Sequence, residues 1–259
     1  MPDEITGKQQ MPARVITHGA VISGRLSLLA FTVFLFCGPF NLVDTNRQPY
    51  GWLVWDALLS SLFFIQHSGM IRRNFRAWMA KRIPDCYIGA VFTLSSSLAL
   101  ALVVVFWQSS GPPLFDLRGP LRWLARGVFF SAVAGIGWGF WSLKGFDPYG
   151  IGPLKARLSG TPVQNPSLTF RGPYLWVRHP LYFFVLLMLW FCPDPTADRL
   201  FFNMLWTGWI FAGAVFEEKD LLDAFGDDYR EYQKEVPMLI PWKGFTRKKK
   251  EDDDVTGGR

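Results

Sequence analysis

The sequence predicts an all-α protein, a polytopic membrane helix bundle of about six transmembrane helices with a C-terminal amphipathic helical cap. Three observations lead there. Half of the 259 residues are apolar, with 24 Phe and 12 Trp, and they form long blocks rather than the spaced stripe of a soluble amphipathic helix. Basic residues stand beside these blocks, concentrated in alternate connections. Gly- and Pro-rich punctuation such as Gly111-Pro112-Pro113 separates them.

The first 19 residues are polar and lack a compact apolar core followed by a small-residue cleavage site, so no cleaved signal peptide is expected. The first block, from about Ala20 to Leu42, then serves as the insertion signal, with Arg25 snorkelling near its start. After a turn containing Asn46 and Pro49, a second block from about Trp52 to Gln66 ends in His67-Ser68. Arg72, Arg73, Arg76, Lys81 and Arg82, with Trp78 among them, precede a third block from about Tyr87 to Trp107. The fourth, from about Trp123 to Leu143, contains Gly135, Gly137 and Gly139, a spacing that lets neighbouring membrane helices approach closely.

Residues 144–178 form the longest connection before the tail, and their Gly and Pro content argues against a long helix. The fifth block, Leu181 to Phe191, is short against the roughly 20 apolar residues a perpendicular span needs. Pro193-Asp194-Pro195 turns the chain into a sixth block, from about Leu200 to Phe216. Beyond it Leu221, Leu222, Phe225, Tyr229, Tyr232 and Val236 recur at three- and four-residue steps, marking an amphipathic helix, or two broken at Gly226, that caps the bundle or lies on the membrane. Four regions result: a polar segment 1–19, a four-helix membrane region 20–143, a core 144–242, and a disordered charged tail 243–259.

The formal net charge of +6 does not point to nucleic acid, because the basic residues flank apolar blocks instead of covering one face of a soluble domain. They read as topology signals and headgroup contacts, making membrane lipids a partner. With both termini in the cytoplasm, the outer loops hold only Arg47, Arg118, Arg122 and Arg199. Cys37, Cys86 and Cys192 match neither a metal knuckle nor a disulfide framework, and three histidines without a ligand-spaced partner give no metal site. No phosphate loop or nucleophile elbow is present.

This topology carries His67, Arg72, Arg178, His179, Glu217 and Glu218 to one membrane face. A lone His-Pro reads as an interfacial histidine that ends a loop, and two glutamates as ordinary acidic residues at a helix end. Their convergence, with Tyr182 alongside and a helix N-terminus that favours an anionic group, points instead to a cofactor site at the membrane surface. Carboxylates placed there can accept hydrogen bonds from a ligand's amine and hydroxyls.

The run Val177-Arg178-His179-Pro180-x-Tyr182, followed by Glu217-Glu218, Phe225-Gly226-x-x-Tyr229-x-x-Tyr232-x-x-x-Val236-Pro237 and Ile240-Pro241, resembles the C-terminal half of the isoprenylcysteine carboxyl methyltransferase superfamily. Upstream, Gln66-His67-Ser68 with the basic, Trp-bearing loop to Pro84 is similar to the branch containing methanethiol S-methyltransferases, NnrU and nurim. The resemblance implies S-adenosylmethionine as methyl donor, enclosed between the helix hairpin and the C-terminal tail. His179, Glu217 and Glu218 would hold its amino-acid and ribose parts, and Tyr174, Val177, Pro180, Tyr182 and Tyr229 would line the pocket. One departure stands out: the superfamily usually has a glycine five residues after the motif histidine, and here Phe184 puts bulk where backbone approaches closely.

The resemblance thus implies an integral protein of a bacterial cytoplasmic membrane that moves a sulfonium methyl to a small thiol such as methanethiol. Alternatives are a prenylcysteine carboxylate or lipid amine as acceptor, or a non-catalytic membrane protein of the NnrU or nurim type. In the leading reading His67, with an ordinary pKa of about 6.5, is the general base or orients the acceptor; otherwise it is an interfacial histidine bonded to a neighbouring helix. Arg72, Arg73 and Arg178 would form a cationic rim that favours the thiolate.

Overall fold

The computed structural model describes residues 7–43, 50–143, 145–163, 168 and 171–243. Among the described residues the regular structure is helical throughout: α1 (Gly7–Cys37), α2 (Gly51–Ile71), α3 (Arg73–Ala80), α4 (Asp85–Phe106), α5 (Gly119–Ser142), α6 (Gly152–Ser159), α7 (Pro180–Trp190) and α8 (Ala197–Glu235), with a 3-10 turn at Gly172–Leu175. The charged tail expected beyond Lys243 lies outside the described residues. Four helices are long and apolar enough to cross a membrane: Gln10–Cys37, Asp85–Phe106, Gly119–Ser142 and Ala197–Glu235. The protein is a polytopic helical membrane bundle.

Two of the six expected spans fall short of that measure. Asp56, Gln66 and His67 lower the apolar content of α2, yet it packs along both α4 and α8. At 11 residues, α7 is about 17 Å long, against the roughly 30 Å of a hydrocarbon core.

α1 begins at Gly7, well before the apolar block expected from Ala20. Its early turns bury Ala13 and Ala20 against Cys86, Ala90, Ile151 and Leu154, while Thr17 returns its hydroxyl to the Ala13 carbonyl at 2.8 Å. Small residues at such steps make a close-packing stripe that hydropathy averaging does not register. The same corner holds a tight backbone approach, since a Cβ on Gly89 would lie 1.8 Å from the carbonyl oxygen of Gly150. α4 therefore rests directly on the turn that leads into α6.

The main core is aromatic. Trp206 of α8 stacks on Phe31 of α1 at 5.0 Å and on Phe63 of α2 at 5.1 Å, and Trp107 meets Phe202 edge-on at 4.9 Å. Such pairs each add about 0.5–1.5 kcal/mol beyond the area they bury.

Polar groups inside the bundle are costly unless partnered, and at the end where α8 begins they are knotted together. Asp198 accepts from the Ser110 amide (2.8 Å), the Ser110 hydroxyl (2.6 Å) and the Trp107 indole (3.1 Å). Arg199 is buried and donates to the last carbonyls of α1, Phe34 O at 3.2 Å and Leu35 O. Asp56 accepts from the Gln108 amide at 3.0 Å. Thr196 is the N-cap of α8, its side chain accepting from the Arg199 amide at 3.3 Å.

From this knot α8 runs without interruption past Phe216. The expected tail helix continues it as far as Phe225 and is broken, as the sequence allowed, at Gly226 (φ 55°, ψ −124°), beyond which Tyr229 and Gln233 turn back onto Glu218. Nothing between Phe216 and Leu221 breaks a helix, so the chain does not stop where its apolar content does.

Candidate active site

The two halves of the Arg178-to-Glu218 pattern meet at one end of the bundle. His179 is the N-cap of α7, with Pro180 at the first helical position, where a missing N–H costs nothing. The backbone amides of Arg178 and His179 donate to the carbonyls of Pro237 (2.9 Å) and Met238 (3.1 Å). The segment after α8 is thereby strapped across the motif.

Glu217 and Glu218 are consecutive on α8, so their side chains leave the helix about 100° apart. Glu218 turns inward. It accepts from Arg178 Nε (2.9 Å) and Nη2 (2.8 Å), His179 Nε2 (2.8 Å), the Tyr229 hydroxyl (2.7 Å) and the Gln233 amide. Its residue exposure is 7%, and a carboxylate has about four lone-pair sites. Glu218 is saturated by the protein itself. Arg178 is held on its other side by the carbonyls of Gln233 (3.2 Å) and Val236.

Glu217 faces the other way, its side chain 46% exposed. It accepts from the Tyr182 hydroxyl at 2.8 Å and lies 3.6 Å from His179 Nδ1. The His179 ring stacks over Tyr182 with centroids 5.5 Å apart. Burial opposes a charge on His179, but hydrogen bonds and attraction from Glu217 and Glu218 outweigh it and lift its pKa above the ordinary imidazole value.

Beside Glu217 a cavity of about 270 Å³ opens between the C-terminal end of α2 and the middle of α8, lined among others by His67, Arg72, Tyr182, Trp209, Phe216 and Glu217. The His67 imidazole stands between aromatic rings, stacked on Phe63 at 5.2 Å and meeting Phe92 at 5.1 Å and Trp209 at 5.5 Å. Its Nδ1 is buried and makes no hydrogen bond among the described residues. Trp209 is fixed by its indole N–H on the Ser68 hydroxyl (3.0 Å) and by stacking on Phe64 (4.7 Å). The Arg72 guanidinium lies 4.3 Å from the centroid of the Phe216 ring. This wall offers cation–π surface, an imidazole and two accessible carboxylates, Glu217 and Asp220.

The methanethiol S-methyltransferase of Pseudomonas sp. is 39% identical over 218 residues, covering 79% of this chain and 80% of that protein. The methanethiol S-methyltransferase of Mycobacterium tuberculosis is 32% identical over 237 residues, covering 86% and 96%. This chain belongs to the methanethiol S-methyltransferase family. Nurim of Rattus norvegicus is a more distant relative, 27% identical over 189 residues, covering 68% of this chain and 70% of that protein. No family model matches the chain, and no solved structure matches it. As a member of the methanethiol S-methyltransferase family, the protein is a membrane methyltransferase.

The sequence expectations for this methyltransferase divide in the structure. His67, Arg72, Tyr182 and Glu217, drawn from three helices, line one cavity. Arg178 does not join Arg72 on a cationic rim, because its guanidinium is consumed by Glu218 and two carbonyls. Arg73 pairs with Asp223 at 3.6 Å in the open. Val177, Pro180 and Tyr229 are buried and do not line the cavity, and the Tyr174 carbonyl accepts from the Tyr232 hydroxyl at 2.5 Å. Trp209 and Phe216 were not anticipated. Their signal was available, since Trp209, Gly213 and Phe216 follow one another at four- and three-residue steps and Glu217 stands four residues past Gly213.

Phe184 leaves the cavity clear. Its ring enters a notch at Gly135 of α5, where an added Cβ would lie 2.4 Å from the ring, and Leu181 fills the next notch at Gly139. Gly137 faces no neighbour. Two of the three α5 glycines thus serve the close packing expected of them, and the bulk at position 184 is absorbed by α5. Gly135→Ala should therefore destabilise the protein by about 1–3 kcal/mol through overpacking, with Phe184→Leu restoring part of the loss in the double variant. Thermal unfolding in detergent measures both, and additive losses would show that the two residues are not in contact.

Proposed function

We propose that the protein transfers a methyl group from S-adenosylmethionine to a small thiol, methanethiol being the acceptor in the names of its relatives. The observation that carries this reading is the shared cavity, lined by the His67 imidazole from α2 and by the accessible Glu217 carboxylate from α8. The residues fit such a donor. Glu217 keeps accessible acceptor capacity for an amine or hydroxyls, and Tyr182, Trp209 and Phe216 supply aromatic surface suited to a sulfonium.

S-adenosylmethionine, when bound, supplies an electrophilic methyl on sulfur. His67 takes the thiol proton on its imidazole, and Arg72 at the cavity wall favours the resulting thiolate. The packed aromatic wall restricts water, so that the chain's chief contribution is positioning. Glu218, Arg178, Tyr229 and Gln233 hold His179, which in turn orients Glu217.

The test is incubation of purified protein with methyl-labelled donor and methanethiol, followed by headspace chromatography. Label in volatile dimethyl sulfide supports the reading; label confined to extracted lipid, or donor left unconsumed, would sink it. Glu217→Gln should weaken donor binding by about 1.5 kcal/mol, the lower end for a hydrogen bond to a charged group because the carboxylate is half exposed. Calorimetry giving unchanged affinity would remove Glu217 from the donor site. The distribution of Lys and Arg further supports both termini, and the loops carrying Lys81 and Arg157, facing the cytoplasm. Labelling of a cysteine placed at position 81 from outside intact cells would reverse that orientation.

A further inference from the structure

Five cations, Arg72, Arg73, Arg76, Lys81 and Arg82, fall within residues 72–82, a stretch without Asp or Glu. The stretch joins α2 to the membrane-crossing α4, so α3 lies at the end of the bundle that carries the cavity. Its eight residues are strongly amphipathic. Phe75 and Met79 are half-buried, whereas Arg73, Arg76 and Trp78 are exposed. Phe75 and Trp78 pack at 5.4 Å, and the Arg82 guanidinium covers the Trp78 ring at 3.8 Å. Arg72 and Arg73 are engaged by Phe216 and Asp223, but Arg76 and Lys81 have no acidic partner among the described residues. An exposed Trp beside unpaired cations, next to a membrane-crossing helix, is the arrangement that seats at headgroup depth.

We infer that α3 and the Lys81-Arg82 pair that follows it form a binding surface for net-anionic phospholipid headgroups, distinct from the reaction cavity, with Arg76 and Lys81 as the phosphate contacts and Trp78 as the interfacial anchor. Charge complementarity selects the occupant. Two unpaired cations on an apolar-backed helix favour a net-negative headgroup over a zwitterionic one, whose own ammonium competes for the phosphate.

The full-length protein is reconstituted into nanodiscs of equal parts phosphatidylglycerol and phosphatidylcholine, extracted in mild detergent, and its retained lipids are quantified by mass spectrometry. Wild type is expected to retain phosphatidylglycerol preferentially, and R76Q/K81Q to reduce that preference about fivefold or more, the scale for two cations near an anionic surface. R118Q, at the opposite end of the bundle, should leave it unchanged. Equal preference in wild type and R76Q/K81Q, or an equal loss in R118Q, overturns the assignment. Displacement by millimolar inorganic phosphate would identify a free-phosphate site, and displacement by a DNA duplex a nucleic-acid surface; either overturns it. Should R76Q/K81Q fail to fold by circular dichroism, the wild type decides alone. Its preference should collapse near 1 M salt, where the Debye length is about 3 Å, and persistence there overturns the inference.

Discussion

Replacing His67 by alanine is expected to slow methyl transfer by about 10²- to 10⁴-fold, the range for loss of a positioned general base, while donor affinity stays unchanged. The expectation rests on the His67 ring, which lines the cavity and has no hydrogen-bond partner for its Nδ1 among the described residues. Activity in the variant should return in part as the pH rises and a growing fraction of the acceptor thiol ionises unaided. Turnover at the wild-type rate between pH 6 and 9 would make His67 a packing residue among Phe63, Phe92 and Trp209.

Glu218→Ala should act on folding before it acts on the donor. The substitution leaves Arg178 and His179 buried with their shared partner gone, and breaking a buried ion pair in this way costs about 3–5 kcal/mol. Denaturant unfolding in detergent should register a loss of that size. Loss of donor affinity with stability intact would show that Glu218 contacts the ligand directly.

The same group gives a pH signature. His179 holds its proton more tightly in the folded state than a free imidazole does, so its contribution is complete below the unfolded value of about 6.5 and disappears as the pH rises through the raised folded value. Wild-type stability should fall across that window. In Glu218→Gln the fall should be shallower, because one of the two carboxylates that hold the proton is gone.

The fold class and the meeting of distant motifs were legible because hydropathy and charge report directly on a bilayer. The early turns of α1 were not, since Ala13, Thr17 and Ala20 pack by smallness and leave no apolar average. Within the site, adjacency misled. Glu217 and Glu218 read as a pair with one task, but one residue of helical rotation sends the first to the cavity and the second into the protein. Arg178 was read as a free cation because charge is visible in sequence and its consumption by carbonyls is not. Phe184 looked obstructive for the same reason: the glycine that accommodates it stands on another helix.

From Ala197 to the kink at Gly226, α8 extends about 44 Å, about one and a half times the roughly 30 Å hydrocarbon thickness. This helix is a mast stepped in the Asp198–Arg199 knot, and Glu217 rides on its unbroken shaft. The floor of the reaction chamber therefore has no hinge of its own. The stretch beyond Gly226 is fastened to the Arg178 and His179 amides by two backbone hydrogen bonds and lines no part of the cavity. Amide exchange should accordingly be slow from the knot through Glu218 and faster past Gly226, where the helical hydrogen bonding is interrupted. Uniform protection along the whole helix would mean that the kink at Gly226 does not loosen the chain that follows it.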